Sequence, residues 1–395
     1  MSFSHKKHNY FNVLKKITLV TVGFLIILEI VFRIILYIDF SPFQTHFSIQ
    51  GTYRWINHPK LVWDNRPFYL DYSRKNQYNE IGFKTVPKDV FMPEKSEDDF
   101  WVFLFGGSTM AGMGANKDKD WFAISEADDH TQEISIEGHL EKILQRKMPD
   151  KKVRVFNAAV SMYTVHQVFE KYKLLEKYNP DWIISMDGVN EPTAFSNTDS
   201  IENYLMNYWQ QVPVNDKKIQ WQFFLMSHSA FCYKVLKEVY DYKQQKRRET
   251  LDKKKIQHKW NFVQPKEIDF IDKLHQQNII AVSTFLKEER MFHDYLESVQ
   301  QKHILFVQPY LAFRDPSSLR DKEKVTHNYF THIENDKYKN SFFKAIYDSI
   351  RFSKVPIHSL DTIHKEKSQM FVDYCHLTPR ANQIIAEIFA EKIIN

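Results

Sequence analysis

The sequence predicts a three-layer α/β/α domain with a mainly parallel β-sheet, preceded by one transmembrane helix. Short β-rich runs alternate with helical patterns along the second part of the chain. The strand candidates are Phe100 to Phe105, Val153 to Phe156, Trp182 to Ser185 and Ile304 to Val307. Residues 165–178 and 384–393 carry apolar stripes at helical spacing. This alternation is typical of a parallel sheet covered by helices.

A long apolar run near the N-terminus predicts the transmembrane helix. Residues 17–38 are apolar apart from Thr18, Thr21, Glu29 and Arg33. At a rise of about 1.5 Å per residue, the run is long enough to cross about 30 Å of hydrocarbon. It is too long for the apolar core of a cleaved signal peptide, so we expect a retained anchor in the lipid bilayer.

The distribution of basic residues around this run predicts its orientation. Lys6, Lys7, Lys15 and Lys16 precede the run, and no Lys or Arg follows until Arg54. Positive charge favours the cytoplasmic side, so residues 1–16 are expected in the cytoplasm and everything after the anchor outside. The expected location is therefore a single-pass protein of the bacterial cytoplasmic membrane with an extracytoplasmic, periplasmic domain.

Beyond the anchor, the sequence divides into two regions. Residues 39–99 have no sustained period and are interpreted as a stalk and connecting segment. Residues 100–395 form the α/β domain, with a helical, highly charged insertion at about 192–301. The charges of the insertion are interpreted as a solvated helix face, with anionic lipid or glycan binding as the alternative.

The charge, cysteine and histidine content argues against a nucleic-acid-binding protein, a disulfide-rich protein and a protein with a metal or organic cofactor. Lys and Arg total 54 against 49 acidic residues, and the formal charge of +5 is dispersed, so no nucleic-acid partner is expected. With only Cys232 and Cys375 present, a disulfide framework is excluded. His130, His139 and His166 show no ligand spacing, and we expect neither a metal nor an organic cofactor.

The first of three segments with candidate chemistry is Gly106-Gly107-Ser108, at the end of the first strand candidate. Paired glycines let the chain turn sharply and present a hydroxyl at the carboxyl edge of a parallel sheet, where ligands bind in open α/β folds. A plain glycine turn is the alternative for this segment alone. Met110 excludes a G-x-S-x-G elbow, and no Lys-Ser/Thr follows as a phosphate loop requires.

The second segment contains Asp373 and His376, just before the last apolar stripe. Thr378 is suited to cap that helix, with Pro379 at its first position. A carboxylate three residues before His376 can accept its Nδ1 proton, which leaves Nε2 free to act as a base. Taken alone, the pair is also compatible with a surface or capping histidine.

The third segment is the strand candidate Trp182 to Ser185 and the loop Gly188-Val189-Asn190-Glu191 that follows it. The amide of Asn190 is a potential hydrogen-bond donor to an oxyanion. An ordinary Asx turn is the alternative. The three segments in this order are more specific than any one of them.

Together these segments resemble the SGNH/GDSL hydrolase superfamily, and within it the membrane-tethered bacterial branch. Gly106-Gly107-Ser108-Thr109 resembles the first block, residues 157–164 the second, Gly188 to Glu191 the third and Asp373 to Pro379 the fifth. Tyr78 to Lys84 resembles the N-x-x-G-F-R segment that precedes the first block in tethered members. The resemblance covers residues 101–395 apart from the insertion, and it implies an SGNH/flavodoxin-like fold.

The resemblance also implies an activity and a site. Ser108 is expected as nucleophile, His376 as base and Asp373 as the residue that orients it; the backbone N–H groups of Ser108 and Met162 and the amide of Asn190 are expected as oxyanion donors. The implied function is a serine esterase or acyl hydrolase acting on acyl esters of cell-envelope glycans or lipids. The alternatives are an O-acyltransferase that uses the same serine, and a catalytically silent glycan-binding scaffold.

The chain departs from the family pattern at three positions. Met162 and Ala159 stand where the second block usually has Gly, and Glu191 stands where the third block usually has Asp. The backbone donor at Met162 survives, but the side chain is expected to narrow the pocket and the residue needs an allowed φ. For Glu191 we expect a structural consequence only.

Overall fold

The structure is a computed structural model, and its described residues fall into two compact units, 1–53 with 213–262 and 54–212 with 263–395. The predicted stalk up to residue 54, His130 and most of the charged insertion lie outside the described residues. The residues that the structure describes are 3–35, 55–58, 60–65, 67, 70–71, 76–85, 91–113, 134–192, 221, 229, 231–232, 235, 239, 242, 267–320, 323–324, 327, 334–350 and 356–395.

In the first unit, the main described element is helix α1, Phe3–Ile35. Its Glu29 carboxylate accepts hydrogen bonds from Ser229 Oγ at 2.7 Å and from the Phe231 backbone N–H at 3.2 Å. The rings of Phe32 and Phe231 lie 5.6 Å apart. These contacts attach residues 229–231 to one side of the helix.

The predicted transmembrane span at residues 17–38 is not confirmed. In the part of the chain that the structure describes, no helix is both long enough and apolar enough to cross a membrane. In helix α1, Lys15 and Lys16 directly precede the apolar stretch and Glu29 lies within it, and residues 36–38 of the expected span lie outside the described part.

The second unit is built on an eight-stranded sheet with strand order β10-β9-β8-β6-β7-β5-β4-β3. Strands β6 to β10 are parallel, and β3, β4 and β5 continue the sheet in antiparallel fashion beyond β7. A separate hairpin pairs β1 with β2. The strands are β1 Trp55–His58, β2 Val62–Asn65, β3 Leu70–Asp71, β4 Asn76–Tyr78, β5 Lys84–Thr85, β6 Asp99–Gly106, β7 Lys152–Asn157, β8 Trp182–Asp187, β9 His303–Val307 and β10 Ile357–His358.

The parallel core confirms the predicted mainly parallel α/β architecture. Each of the four predicted strands lies within an observed one, namely β6, β7, β8 and β9. In chain order the five parallel strands have the spatial order 2-1-3-4-5, the doubly wound arrangement of flavodoxin-like folds. Its switch point lies between β6 and β8, so the loops after these strands border one crevice.

Helices cover both faces of this sheet. The helices whose bounds the structure describes in the second unit are α2 Ile136–Lys147, α3 Val165–Leu175, α4 Glu267–Ser298, α5 Glu334–Ile350, α6 Asp361–Lys365 and α7 Pro379–Ile394. Helices α2 and α7 share a core cluster with Val102 and Leu104 of β6. The alternate residue Phe105 points the other way and meets Tyr172 of α3, which packs on Phe292 of α4. Because successive strand residues face opposite sides, these contacts define three layers.

Two local predictions for the last helix are confirmed. The side chain of Thr378 accepts a hydrogen bond from the Ala381 backbone N–H, and Pro379 occupies the first helical turn of α7. Capping fixes the end of the loop that carries Asp373 and His376. The loop is also tied to itself by a bond from Val372 N to His376 O at 2.9 Å.

Candidate active site

Strand β6 delivers Ser108 to the carboxyl edge of the sheet through a turn that requires glycine. Gly106 has a φ of 148°, and a Cβ there would lie 2.5 Å from the Met186 carbonyl oxygen of β8. A Cβ at Gly107 would lie 2.7 Å from the amide nitrogen of Asn190. Neither position has space for a side chain, so the paired glycines bring the nucleophile loop against the loop after β8.

Ser108, His376 and Asp373 form one hydrogen-bonded chain, although 265 residues of sequence separate the serine from the aspartate. The Oγ of Ser108 is 2.8 Å from Nε2 of His376. The Nδ1 of His376 is 2.6 Å from Oδ2 of Asp373. All three side chains are buried. The structure therefore brings together the three residues that the sequence nominated for catalysis.

The second oxygen of Asp373 fixes the loop around the histidine. Oδ1 accepts hydrogen bonds from the backbone N–H groups of Cys375 and His376, each at 2.7 Å. Because a carboxylate only accepts, Nδ1 of a neutral His376 carries the proton and Nε2 faces Ser108 as the acceptor. This tautomer is the one that general-base catalysis at Ser108 needs.

The electrostatics of the pair favour ionic forms. Burial alone raises the pKa of Asp373, but His376 and the hydrogen bonds from His376 and Cys375 outweigh it, and the net pKa lies below the usual value. Burial alone lowers the pKa of His376, but the Asp373 carboxylate and its hydrogen bond, with Cys375, raise it well above the usual value. The imidazolium that forms during proton transfer is thus stabilised in place.

Gln308 connects the nucleophile loop to the histidine loop. Its Nε2 donates to Thr109 Oγ1 at 2.6 Å and to the Cys375 carbonyl oxygen at 3.2 Å. Thr109 Oγ1 itself donates to the same Cys375 carbonyl at 3.2 Å. Gln308 directly follows β9, so a third strand end contributes to the crevice. Gln308 was not among the predicted site residues, although it directly follows a predicted strand.

A buried ion pair supports the nucleophile loop from the opposite side. Lys84 Nζ lies 3.2 Å from Glu137 and 3.4 Å from the Ala111 carbonyl oxygen. Asn157 donates to both the Glu137 carboxylate at 3.0 Å and the Met110 carbonyl at 2.9 Å. Lys84 is the last residue of the segment Tyr78 to Lys84, which resembles an N-x-x-G-F-R motif. This network gives the segment a structural role.

The side chain of Asn190, one of the predicted oxyanion donors, lies beside the nucleophile loop. Asn190 lies against Gly107, and its Nδ2 donates to the Tyr163 carbonyl oxygen at 2.7 Å. An amide nitrogen has two protons, so one remains for a ligand. Met162, which precedes Tyr163, has a φ of 68°, in the left-handed region that glycine adopts without strain. Met162 therefore adopts a backbone conformation that favours glycine.

The β1–β2 hairpin holds the loop that carries Met162. Trp63 Nε1 donates to the Ser161 carbonyl at 3.3 Å, and Asn65 Nδ2 donates to the Ala159 carbonyl at 3.1 Å. In return, the Tyr163 hydroxyl donates to the Trp63 carbonyl at 2.6 Å. The connecting segment, whose fold the sequence did not reveal, thus fixes the second block.

Three buried carboxyl groups interact with one another near the end of β8: Asp187 at the end of this strand, Glu191 in the loop after it and Glu289 of α4. Within the described residues, one oxygen of Asp187, one of Glu191 and both of Glu289 have no hydrogen-bond partner. Burial raises the pKa of Asp187 to about 7, against a hydrogen bond from Ser185. Burial and the Asp187 charge raise the pKa of Glu191 to about 8. Burial, with the Asp187 and Glu191 charges, raises the pKa of Glu289 well above its usual value.

Glu191 also has the structural role expected for it. Its Oε1 accepts a hydrogen bond from the Val165 backbone N–H at 2.8 Å, at the N-terminus of helix α3. The loop after β8 is thereby attached to the helix that follows the second block. Asn190 is therefore held both by its own bond to the Tyr163 carbonyl and by the bond from Val165 to the neighbouring Glu191.

Comparison with known proteins gives no close relative. No family model and no curated protein matches the chain. Among solved structures, a lipase from a goat rumen metagenome is 11% identical, covers 74% of this chain and 96% of its own, and has a TM-score of 0.37. An acetylxylan esterase from Geobacillus stearothermophilus is 11% identical, with 76% and 96% coverage and a TM-score of 0.38. A GDSL-like lipase from Bacteroides thetaiotaomicron is 9% identical, with 76% and 91% coverage and a TM-score of 0.35. These similarities are too distant to carry a conclusion about function, which has to come from the site.

Proposed function

We propose that this chain is a serine esterase or acyl hydrolase, a divergent member of the SGNH/GDSL superfamily. The observation that carries the proposal is the buried chain of hydrogen bonds from Ser108 through His376 to Asp373, at 2.8 and 2.6 Å. A hydroxyl, an imidazole and a carboxylate in this order are the parts of an activated serine nucleophile. The amide of Asn190 beside them is placed to act on an oxyanion.

In the proposed reaction, His376 Nε2 removes the Ser108 proton as Oγ attacks the carbonyl carbon of an ester. His376 then gives this proton to the departing alcohol, and an acyl-enzyme forms. A water molecule, activated by the same imidazole, releases the acid and restores Ser108. Asp373 keeps the imidazole in the required tautomer throughout. Because His376 must be neutral to accept the proton, activity is expected to increase as pH rises through its raised pKa.

The oxyanion of each tetrahedral intermediate is assigned to the backbone N–H groups of Ser108 and Met162 and to the side chain of Asn190. The N–H of Ser108 stands at the start of a helix-like turn, in which Ala111 N bonds to the Gly107 carbonyl at 3.0 Å. Such N–H groups have no carbonyl partner of their own within the turn. Removal of one oxyanion donor typically costs roughly 3 kcal/mol in barrier height.

The experiment is ester hydrolysis by the purified full chain. The substrates are p-nitrophenyl esters with acyl groups from acetyl upward, and the variants are Ser108→Ala and Ser318→Ala. Ser318 is a matched control, because it is as buried as Ser108 and its Oγ bonds to the Asp315 carbonyl rather than to a histidine. We expect Ser108→Ala to lose turnover and Ser318→Ala to keep it. Equal activity of Ser108→Ala and the native chain would refute the proposal.

The acceptor of the acyl group distinguishes hydrolysis from transfer. Adding acetylated or free glycan oligomers to the assay tests whether the acyl group passes to a sugar hydroxyl in place of water. We propose acyl esters of envelope glycans or lipids as substrates, with water as acceptor. Acylated sugar as the main product would make the chain an O-acyltransferase that uses Ser108. Absence of turnover with every substrate would favour a silent glycan-binding scaffold.

We propose separately that the catalytic domain is extracytoplasmic, at the bacterial cytoplasmic membrane. The support is the lysine asymmetry around residues 17–38 and the exposed apolar side chains of α1, such as Leu19 and Val20. The test is a pair of reporter fusions after Asn395. Alkaline phosphatase activity with no cytoplasmic fluorescence is expected, and the opposite pattern would contradict this location.

A further inference from the structure

A second cluster of chemically competent side chains lies at the opposite edge of the sheet from Ser108. It consists of His293 and Glu297 of helix α4 and His303, the first residue of β9. One ligand atom of each residue lies within 4.8 Å of those of the other two. In the part of the chain that the structure describes, the one other group of this kind is Asp373-Cys375-His376 of the candidate active site.

The backbone between the helix and the strand holds this cluster in register. Gln300 has a left-handed φ of 56°, its N–H bonds to the Glu297 carbonyl at 3.0 Å, and the N–H of Gln301 bonds to the Leu296 carbonyl at 2.9 Å. This pair of bonds is a Schellman motif, with Gln300 in the position that glycine usually takes. The motif turns the chain so that His303 comes back beside His293.

The hydrogen bonds of His303 fix its tautomer for metal binding. Its Nδ1 lies 2.8 Å from the Gln301 carbonyl oxygen, which only accepts, so Nδ1 carries the proton. The unprotonated Nε2 faces Nδ1 of His293 at 2.7 Å. Metal-binding histidines commonly donate their second ring N–H to a backbone carbonyl in this way, because it orients the ring and strengthens the ligand nitrogen.

Glu297 adds an anionic oxygen ligand and lies on the solvent-exposed side of the cluster. It stands one helical turn after His293, on the same face of α4. Its side chain is 65% exposed, whereas that of His303 is 5% exposed. Oε1 of its carboxylate lies 3.9 Å from Nδ1 of His303. The cluster therefore has one buried nitrogen ligand, one ligand at the surface and a route for an ion to enter.

We propose that His293, Glu297 and His303 form a binding site for a divalent transition-metal ion such as Zn²⁺. Two imidazole nitrogens and a carboxylate oxygen match the preferences of this ion, with a fourth position left for water. Two nitrogens bound to tetrahedral zinc at about 2.0 Å lie about 3.3 Å apart, so the rings have to separate by roughly half an ångström. The proton on Nδ1 of His293 moves to its Nε2 as Nδ1 takes the metal.

The experiment is calorimetric titration of the chelator-treated full chain with Zn²⁺. We expect saturable binding of one ion by this site. His293→Gln should abolish the binding, and Glu297→Gln should weaken it by roughly 10- to 100-fold, the size of effect seen even for outer partners of metal ligands. Glu297 is exposed, so its variant is expected to fold normally. His166→Gln is the matched control, since His166 also contacts a helix carboxylate, Glu288 at 3.3 Å, but belongs to neither group of potential metal ligands found among the described residues.

Each outcome bears on the proposal. Binding lost in His293→Gln, weakened in Glu297→Gln and kept in His166→Gln supports it. Absence of saturable Zn²⁺ binding by the native chain overturns it, and so does binding that is unaffected by both His293→Gln and Glu297→Gln. Binding that disappears only in Cys375→Ser also overturns it, because the ion is then held by the catalytic site.

Discussion

Asp373 and Asp187 are two buried aspartates of the same domain, with 1% and 2% of their surface exposed, and their pKa values shift in opposite directions. Asp373 faces an imidazole and two backbone N–H groups, whereas Asp187 receives one serine hydroxyl and has Glu191 and Glu289 as neighbours. Burial alone raises the pKa of both groups. The partners of a buried carboxyl group, and not its depth, therefore decide whether it is ionised.

The largest expected effect separates the two aspartates by activity. Asp373→Asn should lose roughly 10³ to 10⁴ in turnover, because an amide stabilises the wrong tautomer of His376. Asp187→Asn should keep turnover close to the native value, since its carboxyl group is already uncharged in the folded chain below about pH 7. Steady-state kinetics on both variants measure the difference. Similar losses of turnover in the two variants would contradict the claim that Asp373 is needed for turnover and Asp187 is not.

The next largest effect is expected at the side-chain amide of Asn190. Asn190→Ala should reduce turnover by roughly 10²- to 10³-fold, as for other single oxyanion donors. Asn190→Asp keeps the shape but replaces the donor by an acceptor, so it should lose at least as much. The loss is expected in kcat more than in KM, because the oxyanion exists only in the transition state. A change confined to KM would assign Asn190 to substrate binding.

A stability effect follows from the carboxyl cluster. A raised folded-state pKa stabilises the fold fully below the unfolded-state pKa, here about 4, and the stabilisation is lost as pH rises through about 7 to 8. Removal of one such group in Asp187→Asn should make the fall of unfolding free energy shallower by about 1.4 kcal/mol per pH unit between pH 5 and 7. Urea unfolding at several pH values measures this slope, and an unchanged slope would mean that Asp187 is ionised in the folded chain.

The smallest effect is expected at Met162. A left-handed conformation costs a residue with a Cβ roughly 1 kcal/mol, so Met162→Gly should leave stability within about 1 kcal/mol of the native value or raise it slightly. The loss of the side chain should also increase kcat/KM for longer acyl esters relative to acetyl esters. An unchanged ratio would show that Met162 does not limit the size of the acyl group.

Local patterns predicted much of this structure. The four central strands, the cap at Thr378 and the residues of the candidate triad each rest on short runs of sequence in which chain geometry dictates the result. Ser108 was predicted from a strand that ends in two glycines, and His376 was predicted from a carboxylate three residues earlier. The joining of these segments depended on the parallel sheet, which places strand ends at one edge.

The supporting residues were not predictable in the same way. Trp63 and Gln308 act through contacts with residues 98 and 199 positions away in sequence, respectively. Glu289 belongs to a helix whose pattern resembled a solvated charged face, and its burial beside Asp187 is visible only in the folded chain. The pair His293 and His303 meets across a Schellman turn that contains no glycine, so the usual sequence signal of that turn was absent.

The central claim is that His376, held by Asp373, activates Ser108, and covalent labelling tests it most directly. The full chain is treated with a fluorophosphonate probe at several pH values, and the modified residue is identified by peptide mass spectrometry. We expect stoichiometric labelling of Ser108 that increases with pH, is lost in His376→Ala and is strongly slowed in Asp373→Asn. Equal labelling rates in the native chain and His376→Ala, or labelling of another serine, would contradict it.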